Sequence, residues 1–215
     1  MSGHPIYLKQ LELGPMQNFI YLIGDPETHE AAVVDPGWEP AQILKAVEAD
    51  SYRLTKAFVT HHHFDHVMGL GELLKSVDIP IYAHKDDAPF LKLERGTLQR
   101  VSGGETILIG NLPVTLIHTP GHTPGSQCLL VDGNLLTGDT LFIRACGRWD
   151  LPGGDPAMLY DSLVNKLKLL DEAIIVHPGH NYADSPTSTI GDEKRHNPFL
   201  QPATREEFLR LIKRT

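Results

Sequence analysis

Four side chains of the kind that bind metals fall within six residues of this chain, directly after the apolar run 57–59. The seven residues that follow this run read Thr-His-His-His-Phe-Asp-His. In an extended backbone, residues two apart point the same way, so His61 and His63 are placed to hold one ion. Asp65 and His66 come on the next turn of backbone and are placed to hold a second. The segment therefore predicts a metal centre at the end of a strand.

Three further segments show a strand-like apolar run that ends in a turn and a ligand-type side chain. They are Thr119–Gly125, Leu136–Thr140 and Val176–Tyr182. Glycines in each segment allow tight turns, which place an imidazole or a carboxylate at the end of a sheet. The ligand-type side chains in these segments are His122, Asp139, His177 and His180.

The order of these motifs resembles the metallo-β-lactamase superfamily, whose pattern is His-x-His-x-Asp-His followed by single His, Asp and His ligands. The match runs from about Leu11 to Leu200. The resemblance implies an α/β fold of the αβ/βα four-layer sandwich type, with two sheets back to back and helices outside. It also implies the ligand sets, which are His61, His63 and His122 for a first metal, Asp65, His66 and His180 for a second, and Asp139 as a bridge.

This donor set suits divalent ions. Imidazoles and carboxylates bind zinc and also iron or manganese, and the lack of a thiolate excludes a closed structural zinc site. We expect two divalent ions, with zinc as the first choice and iron or manganese as alternatives. Two ions about 3.5 Å apart lower the pKa of a shared water and supply a hydroxide nucleophile. Asp65 is the candidate catalytic residue because it is placed to orient that hydroxide or to accept its proton. Asp35 is either a partner of a ligand histidine or a turn carboxylate.

Several segments look most like the short, glyoxalase II-like branch of the superfamily, the hydroxyacylglutathione hydrolases. These segments are 138–142, 146–148, 188–191 and 197–200. The resemblance implies that a metal-bound hydroxide hydrolyses a small thioester, such as an S-2-hydroxyacylglutathione. The leaving thiolate needs little protonation because the pKa of a thiol is about 8 to 9.

A persulfide dioxygenase is the alternative, and a lactonase is a third interpretation. The segments that resemble the dioxygenase branch are Ile143-Arg144, Cys146-Gly147-Arg148 with Asp150, and Leu159-Tyr160. Such enzymes use one iron held by two histidines and an aspartate, which here implies His61, His122 and Asp139, a facial triad suited to oxygen chemistry.

Two residues are candidates for binding the substrate. Arg148 follows the Asp139 strand and is a candidate to bind a substrate carboxylate; a solvated surface arginine is the competing interpretation. Tyr182 comes two residues after His180 and is placed to hydrogen-bond a substrate, with packing in the core as the competing interpretation.

Composition favours one catalytic domain over residues 1–215. With 41% hydrophobic residues, a chain of 215 residues can bury a sizeable core. The net charge of −8 disfavours a nucleic-acid partner, and no apolar run reaches the roughly 18 residues of a membrane span. The first residues lack the pattern of a signal peptide, and only Cys128 and Cys146 are present. We therefore expect a cytoplasmic monomer or homodimer that acts on a small molecule, without a nucleic-acid or membrane partner.

Hydrophobic periodicity predicts alternating strands and helices. The predicted strands are 6–13, 18–23, 31–34, 54–59, 79–83, 106–109, 114–117, 127–131, 135–136 and 173–176. The predicted helices are 40–49, 67–77, 86–93, 156–170 and one after the capping box 204–207. Among the other histidines, His62 should point away from the metal site, and we expect His84, His118 and His177 to make structural hydrogen bonds.

Overall fold

The computed structural model describes residues 6–93 and 97–213, and within these ranges two six-stranded sheets form the centre of the fold. The first sheet consists, in spatial order, of β1 (Tyr7–Leu13), β2 (Asn18–Asp25), β3 (Glu30–Val34), β4 (Arg53–Phe58), β5 (Ile81–His84) and β6 (Leu98–Val101). The second sheet contains β7 (Thr106–Ile109), β8 (Leu112–His118), β9 (Gln127–Val131), β10 (Asn134–Gly138), β13 (Ile175–Pro178) and β14 (Ser188–Thr189). A short ribbon pairs β11 (Leu141–Phe142) with β12 (Ala145–Cys146).

The helices of the described ranges lie between and after these strands. They are α1 (Pro40–Ala49), α2 (Phe64–Val67), α3 (Leu70–Ser76), α4 (Pro156–Val164), α5 (Ile190–His196) and α6 (Arg205–Ile212). Single turns of 3₁₀ helix occupy Ala88–Phe90, Leu167–Leu169 and Pro198–Leu200. Within residues 6–93 and 97–213, no helix has both the length and the apolar character needed to cross a bilayer.

Three hydrophobic clusters separate the layers. Alternation along β2 illustrates this: Phe19, Tyr21 and Ile23 pack between the two sheets, whereas Ile20 and Leu22 face α1 and α3. A third cluster packs the outer face of the second sheet against α4 and α6. The layers therefore run helix, sheet, sheet, helix, which confirms the predicted αβ/βα sandwich.

Strand directions bring the ends of several strands to one edge. Strand β10 pairs parallel with β13 and antiparallel with β9, which in turn pairs antiparallel with β8. As a result β8, β10 and β13 all run the same way, and the segments that follow them leave the sheet at the same edge. Three of the ligand-bearing segments follow these strands.

Two predicted helices are shorter than expected. The helix predicted over 67–77 is broken, because α2 ends at Val67 and α3 begins at Leu70. A Cβ on Gly69 would lie 2.4 Å from the carbonyl oxygen of Pro36, so the chain passes very close to a neighbouring loop at this point. The helix predicted over 156–170 begins as expected at Pro156, where Asp155 caps it, but it ends at Val164.

Other elements differ from the sequence prediction. The expected helix over 86–93 is only the 3₁₀ turn Ala88–Phe90. Strands β6, β11, β12 and β14 and helix α5 were not predicted, because each is short and none shows clear hydrophobic periodicity. Helix α5 is almost entirely polar, and the side chain of Thr189 caps it by accepting the Asp192 N–H at 3.1 Å.

Candidate metal centre

The structure brings all seven predicted ligands together at one edge of the sandwich. Two follow β4 (His61 and His63), two lie on α2 (Asp65 and His66), and one each follows β8 (His122), β10 (Asp139) and β13 (His180). The expected extended geometry applies only to the first part of the motif. The backbone of His63 is extended, with φ −59° and ψ 145°, and helix α2 begins at the next residue. Asp65 and His66 therefore face the candidate metal centre from a single turn of helix.

The ligands form two groups joined by Asp139. We call His61, His63 and His122 the first group and Asp65, His66 and His180 the second group; within each, the ligand atoms lie within 4.8 Å of one another. Asp139 Oδ2 lies 3.5 Å from His122 Nε2 and 3.4 Å from His180 Nε2. Its carboxylate therefore faces both groups, in the position that the resemblance implies for a bridge.

Hydrogen bonds orient the two buried histidines of the first group. His122 Nδ1 donates to the carbonyl oxygen of Arg148 at 2.7 Å. His61 Nδ1 lies 3.1 Å from Thr60 Oγ1, whose hydroxyl donates to Asp35 Oδ2 at 2.6 Å. Because Thr60 gives its proton to the carboxylate, His61 Nδ1 is the donor to Thr60. Both rings are thereby left with an unprotonated Nε2, the arrangement found in metal-binding histidines.

Three atoms at this point are buried without a hydrogen-bond partner in the described part of the chain. They are His61 Nε2, His122 Nε2 and Asp139 Oδ1. Leaving a buried polar atom unsatisfied costs about 1–3 kcal/mol, and such atoms are rare in native proteins. Two imidazole nitrogens and one carboxylate oxygen are also good ligands for a divalent ion. The residues present therefore fit a metal ion.

The second group makes contacts among its own members and with neighbouring residues. His66 Nε2 lies 3.2 Å from His180 Nε2, and Asn18 Nδ2 donates to Asp65 Oδ2 at 3.0 Å. The Nδ1 atoms of both rings are also engaged, with Asp35 Oδ2 and the carbonyl oxygen of Met16, at 2.9 Å each. Among the described residues, the second group therefore leaves no buried side-chain nitrogen or oxygen without a hydrogen-bond partner, unlike the first group.

The pKa values of the histidines also differ between the two groups. Burial lowers the pKa of His61 well below its usual value and that of His63 to about 4, so these rings are neutral at pH 7. Burial also opposes a charge on His180, but the carboxylates of Asp139 and Asp65 outweigh it and raise the pKa of His180 to about 9. The second group therefore carries positive charge, which the carboxylates of Asp65 and Asp139 balance.

Three residues around the ligands hold them in place. Asp35 accepts the Thr60 N–H at 2.7 Å as well as the Thr60 hydroxyl and His66 Nδ1, so the structure favours its interpretation as a partner of a ligand histidine. Its backbone has φ +53°, a conformation that costs free energy in a residue other than glycine. Sequence reasoning missed Thr60 and Asn18, which carry no motif and are recognisable only by their contacts.

Two glycines let the ligand loops approach one another. Gly138 has φ +47°, and a Cβ there would lie 2.4 Å from Thr60 Oγ1. A Cβ on Gly179 would lie 2.4 Å from Asp139 Oδ1. Both positions therefore require glycine for the loops to bring Asp139 and His180 into the site.

A cavity of about 570 Å³ opens onto the metal centre. Its apolar walls include Met16, Phe64, Phe142, Leu151 and Pro152. Both predicted substrate residues line it. The Arg148 side chain is 66% exposed, and its guanidinium pairs with both carboxylate oxygens of Asp150, at 2.9 and 2.8 Å. Tyr182 is 58% exposed and stacks on His180 with ring centroids 4.6 Å apart, so it does not pack in the core.

Four of the other histidines have the contacts that the sequence analysis expected. His62 points away from the ligands and stacks on Phe90, with ring centroids 4.3 Å apart. His84 and His118 stack on each other, and a ring nitrogen of each lies within hydrogen-bond distance of a backbone carbonyl oxygen. His177 Nε2 donates to Asn134 Oδ1 at 3.0 Å.

Comparison with known proteins places the chain in one superfamily. The family model described as "Metallo-beta-lactamase superfamily" matches residues 13–180. A probable polyketide biosynthesis zinc-dependent hydrolase, PksB of Bacillus subtilis, is 31% identical over 90% of this chain and 86% of its own. The human mitochondrial persulfide dioxygenase ETHE1 is 33% identical over 98% of this chain and 82% of its own.

A solved structure agrees with these relatives. The crystal structure of ETHE1 from Myxococcus xanthus matches with a TM-score of 0.87 and 32% identity, over 96% of this chain and 90% of that chain. The expectation of a glyoxalase II-like thioester hydrolase is therefore wrong, because the named relatives include the persulfide dioxygenase ETHE1 and the similar solved structures include an ETHE1 protein. The ligand motif misled the assignment because, by the resemblance, dioxygenases keep all seven ligand positions. What the family model and the fold show together is that the chain belongs to the metallo-β-lactamase superfamily.

Proposed function

We propose that this chain is a persulfide dioxygenase that uses one iron ion and oxidises glutathione persulfide. The observation that carries the proposal is the set of three buried, unpartnered atoms on His61, His122 and Asp139. Two histidines and one carboxylate form the facial triad of non-haem iron(II) oxygenases. The second group needs no ion to satisfy its atoms, and this supports one metal ion in place of the two that the ligand motif suggested.

The protein's contribution is to fix the triad before iron arrives. The Arg148 carbonyl and the Thr60 hydroxyl set the tautomers of His122 and His61, and Asp139 follows β10 at a turn that only glycine at 138 allows. Iron(II) in this triad would supply the site at which dioxygen is activated. Apolar side chains, among them Met16, Phe64 and Phe142, line the cavity that opens onto that site.

The overall reaction balances without a further reductant. A persulfide RSSH reacts with O₂ and H₂O to give the thiol RSH, sulfite and two protons. The S–S bond breaks, the terminal sulfur is oxidised, and the inner sulfur leaves as the thiol. The four electrons that the two sulfur atoms lose together are those that reduce dioxygen. Two oxygens of the sulfite come from O₂ and the third from water.

The cavity offers polar groups for the thiol carrier at its mouth. We propose that Arg148 binds a carboxylate of the carrier, exchanging its contact with Asp150 for one with the substrate. Tyr182, exposed beside His180, would donate a hydrogen bond to the same molecule. We further propose that the protein acts in the cytoplasm as a monomer or homodimer, without a nucleic-acid or membrane partner. The net charge of −8 supports the absence of a nucleic-acid partner.

Oxygen consumption tests this proposal. The iron-loaded protein, given glutathione persulfide in an oxygen electrode, should consume one O₂ for each sulfite formed. Because free iron also oxidises persulfides, the His122→Ala variant with the same total iron is the matched control, and it should consume oxygen no faster than iron alone. An equal rate with the variant, or hydrolysis of a 2-hydroxyacyl glutathione thioester without persulfide oxidation, would overturn the proposal.

A further inference from the structure

One buried carboxylate near the metal centre is not a ligand. Asp87 lies three residues beyond the end of β5, is only 1% exposed, and accepts hydrogen bonds from two loops. Its Oδ2 accepts the His62 N–H at 2.9 Å and the Thr123 hydroxyl at 2.7 Å. Its Oδ1 accepts the Gly125 N–H at 2.7 Å. The His62 ring adds a further contact, with Nδ1 2.9 Å from Oδ2.

These contacts join segments that carry the ligands of the triad. His62 lies between His61 and His63, after a strand of the first sheet, and Thr123 directly follows His122, after a strand of the second sheet. The Gln127 N–H also joins these segments through the carbonyl oxygen of Thr60, at 2.9 Å. The Gln127 bond holds Thr60, the residue before His61, whereas Asp87 binds His62, the residue after His61.

We propose that Asp87 is a positioning residue that sets the distance between His61 and His122, and so determines how tightly the triad holds a metal ion. It acts through the backbone N–H of His62, next to His61, and through the side-chain hydroxyl of Thr123, next to His122, and it forms no hydrogen bond with either ligand ring. The inference rests on the metal centre behind the proposed function and does not depend on the persulfide reaction. Variants that disturb Asp87 should therefore bind metal more weakly than the parent, and any loss of activity should follow from that weaker binding.

The backbone of Gly125 packs directly against the carboxylate of Asp87. A Cβ at this position would lie 2.5 Å from Asp87 Oδ1 and 2.6 Å from its Cβ and Cγ. The variant Gly125→Ala would therefore displace Asp87 by steric contact while leaving its charge unchanged. Gly71→Ala is the matched control, because nothing lies within 4 Å of a Cβ built on Gly71.

The variant Asp87→Asn removes the bonds without changing the size of the side chain. An amide has one oxygen, so it cannot accept both backbone N–H groups as the carboxylate does. Asp25→Asn is the matched control. Asp25 is also buried and accepts two backbone N–H groups, of Glu27 and Asn111, and the hydroxyl of Thr28, but it binds no loop of the metal centre.

The measurement is the dissociation constant for Co²⁺, by titration against a competing chelator, with a thermal melt of each apoprotein. We expect roughly 10- to 100-fold weaker binding in Asp87→Asn, the range seen when partners outside the ligand shell are changed. Gly125→Ala should weaken binding in the same direction. Asp25→Asn should melt at a lower temperature than the parent but bind Co²⁺ as the parent does.

The outcomes separate this inference from the proposed function. Parent-like Co²⁺ affinity in Asp87→Asn, or an equal loss in Asp25→Asn, would overturn the role of Asp87. Should Asp87→Asn fail to fold, Gly125→Ala compared with Gly71→Ala decides the question by the same affinity measurement. If the parent binds Co²⁺ but does not consume oxygen with a persulfide, the proposed reaction fails and the role of Asp87 stands. No Co²⁺ binding by the parent would overturn both.

Discussion

Replacing His122 with alanine should remove iron from the protein, whereas replacing His180 should leave it bound. The two residues belong to different groups at the same edge of the fold, and each is a buried histidine near Asp139. They differ in what their Nε2 atoms do. His122 Nε2 has no hydrogen-bond partner among the described residues, and His180 Nε2 is within 3.2 Å of His66 Nε2.

The size of the effect follows from the ligand count. Changes to partners outside the ligand shell cost about 10- to 100-fold in metal affinity, so the loss of one of three ligands should cost at least about 100-fold, or roughly 2.7 kcal/mol. At a free iron concentration tenfold above the dissociation constant of the parent, occupancy would fall from about 0.9 to about 0.1. The triad is complete in His180→Ala, and Asp65 keeps its hydrogen bond from Asn18, so its occupancy should stay near that of the parent.

The assay is iron per chain for both variants, expressed side by side and purified in the same way. Circular dichroism of each variant verifies that the fold is intact, so that a loss of iron is not a loss of structure. If His180→Ala loses as much iron as His122→Ala, the two groups hold metal together, and the argument from the unpartnered atoms is refuted.

Three further predictions address pH, ligand support and substrate binding. Burial lowers the pKa of His177 to about 4 from 6.5; the stability this neutral ring provides is complete above about pH 6.5 and is lost as the pH falls toward 4. His177→Gln, measured as apoprotein in urea, should therefore lose about 2 kcal/mol less than the parent between pH 7.5 and 5, and an unchanged difference would refute this. Asp35→Asn removes the carboxylate that accepts the Thr60 hydroxyl and thereby orients His61 of the triad, so it should weaken iron binding by about tenfold and lower the melting temperature; parent-like values of both would contradict it. Arg148→Met should raise KM for glutathione persulfide about tenfold and leave iron content unchanged, because the backbone carbonyl and not the side chain binds the ligand histidine; an unchanged KM would remove Arg148 from the substrate site.

The candidate ligands could be picked out from the sequence because their pattern is local. His61 and His63 stand two apart after an apolar strand, and glycines mark the turns that carry Asp139 and His180. The layer order was accessible as well, through the resemblance and through runs such as β2 in which both faces are apolar. These features depend on residue type and spacing, which a single chain displays directly.

What the sequence did not disclose depends on contacts between distant segments. The break in the helix after Val67 arises where Gly69 meets the loop at Pro36, and nothing in the hydrophobic pattern interrupts there. Asp87 lies 25 residues from His62 in the chain, and in the sequence nothing distinguishes this buried carboxylate from those on the surface. The reaction was misassigned for a different reason: by the resemblance, persulfide dioxygenases keep all seven ligand positions, so the motif alone does not separate the two reactions.

Metal identity and stoichiometry test the account most directly. Elemental mass spectrometry on the protein, expressed without added metal and purified without chelators, should find about one iron per chain and little zinc. That result would agree with a single ion in the triad of His61, His122 and Asp139. Two zinc ions per chain would contradict the account, because the second group would then hold a metal that its own hydrogen bonds make unnecessary.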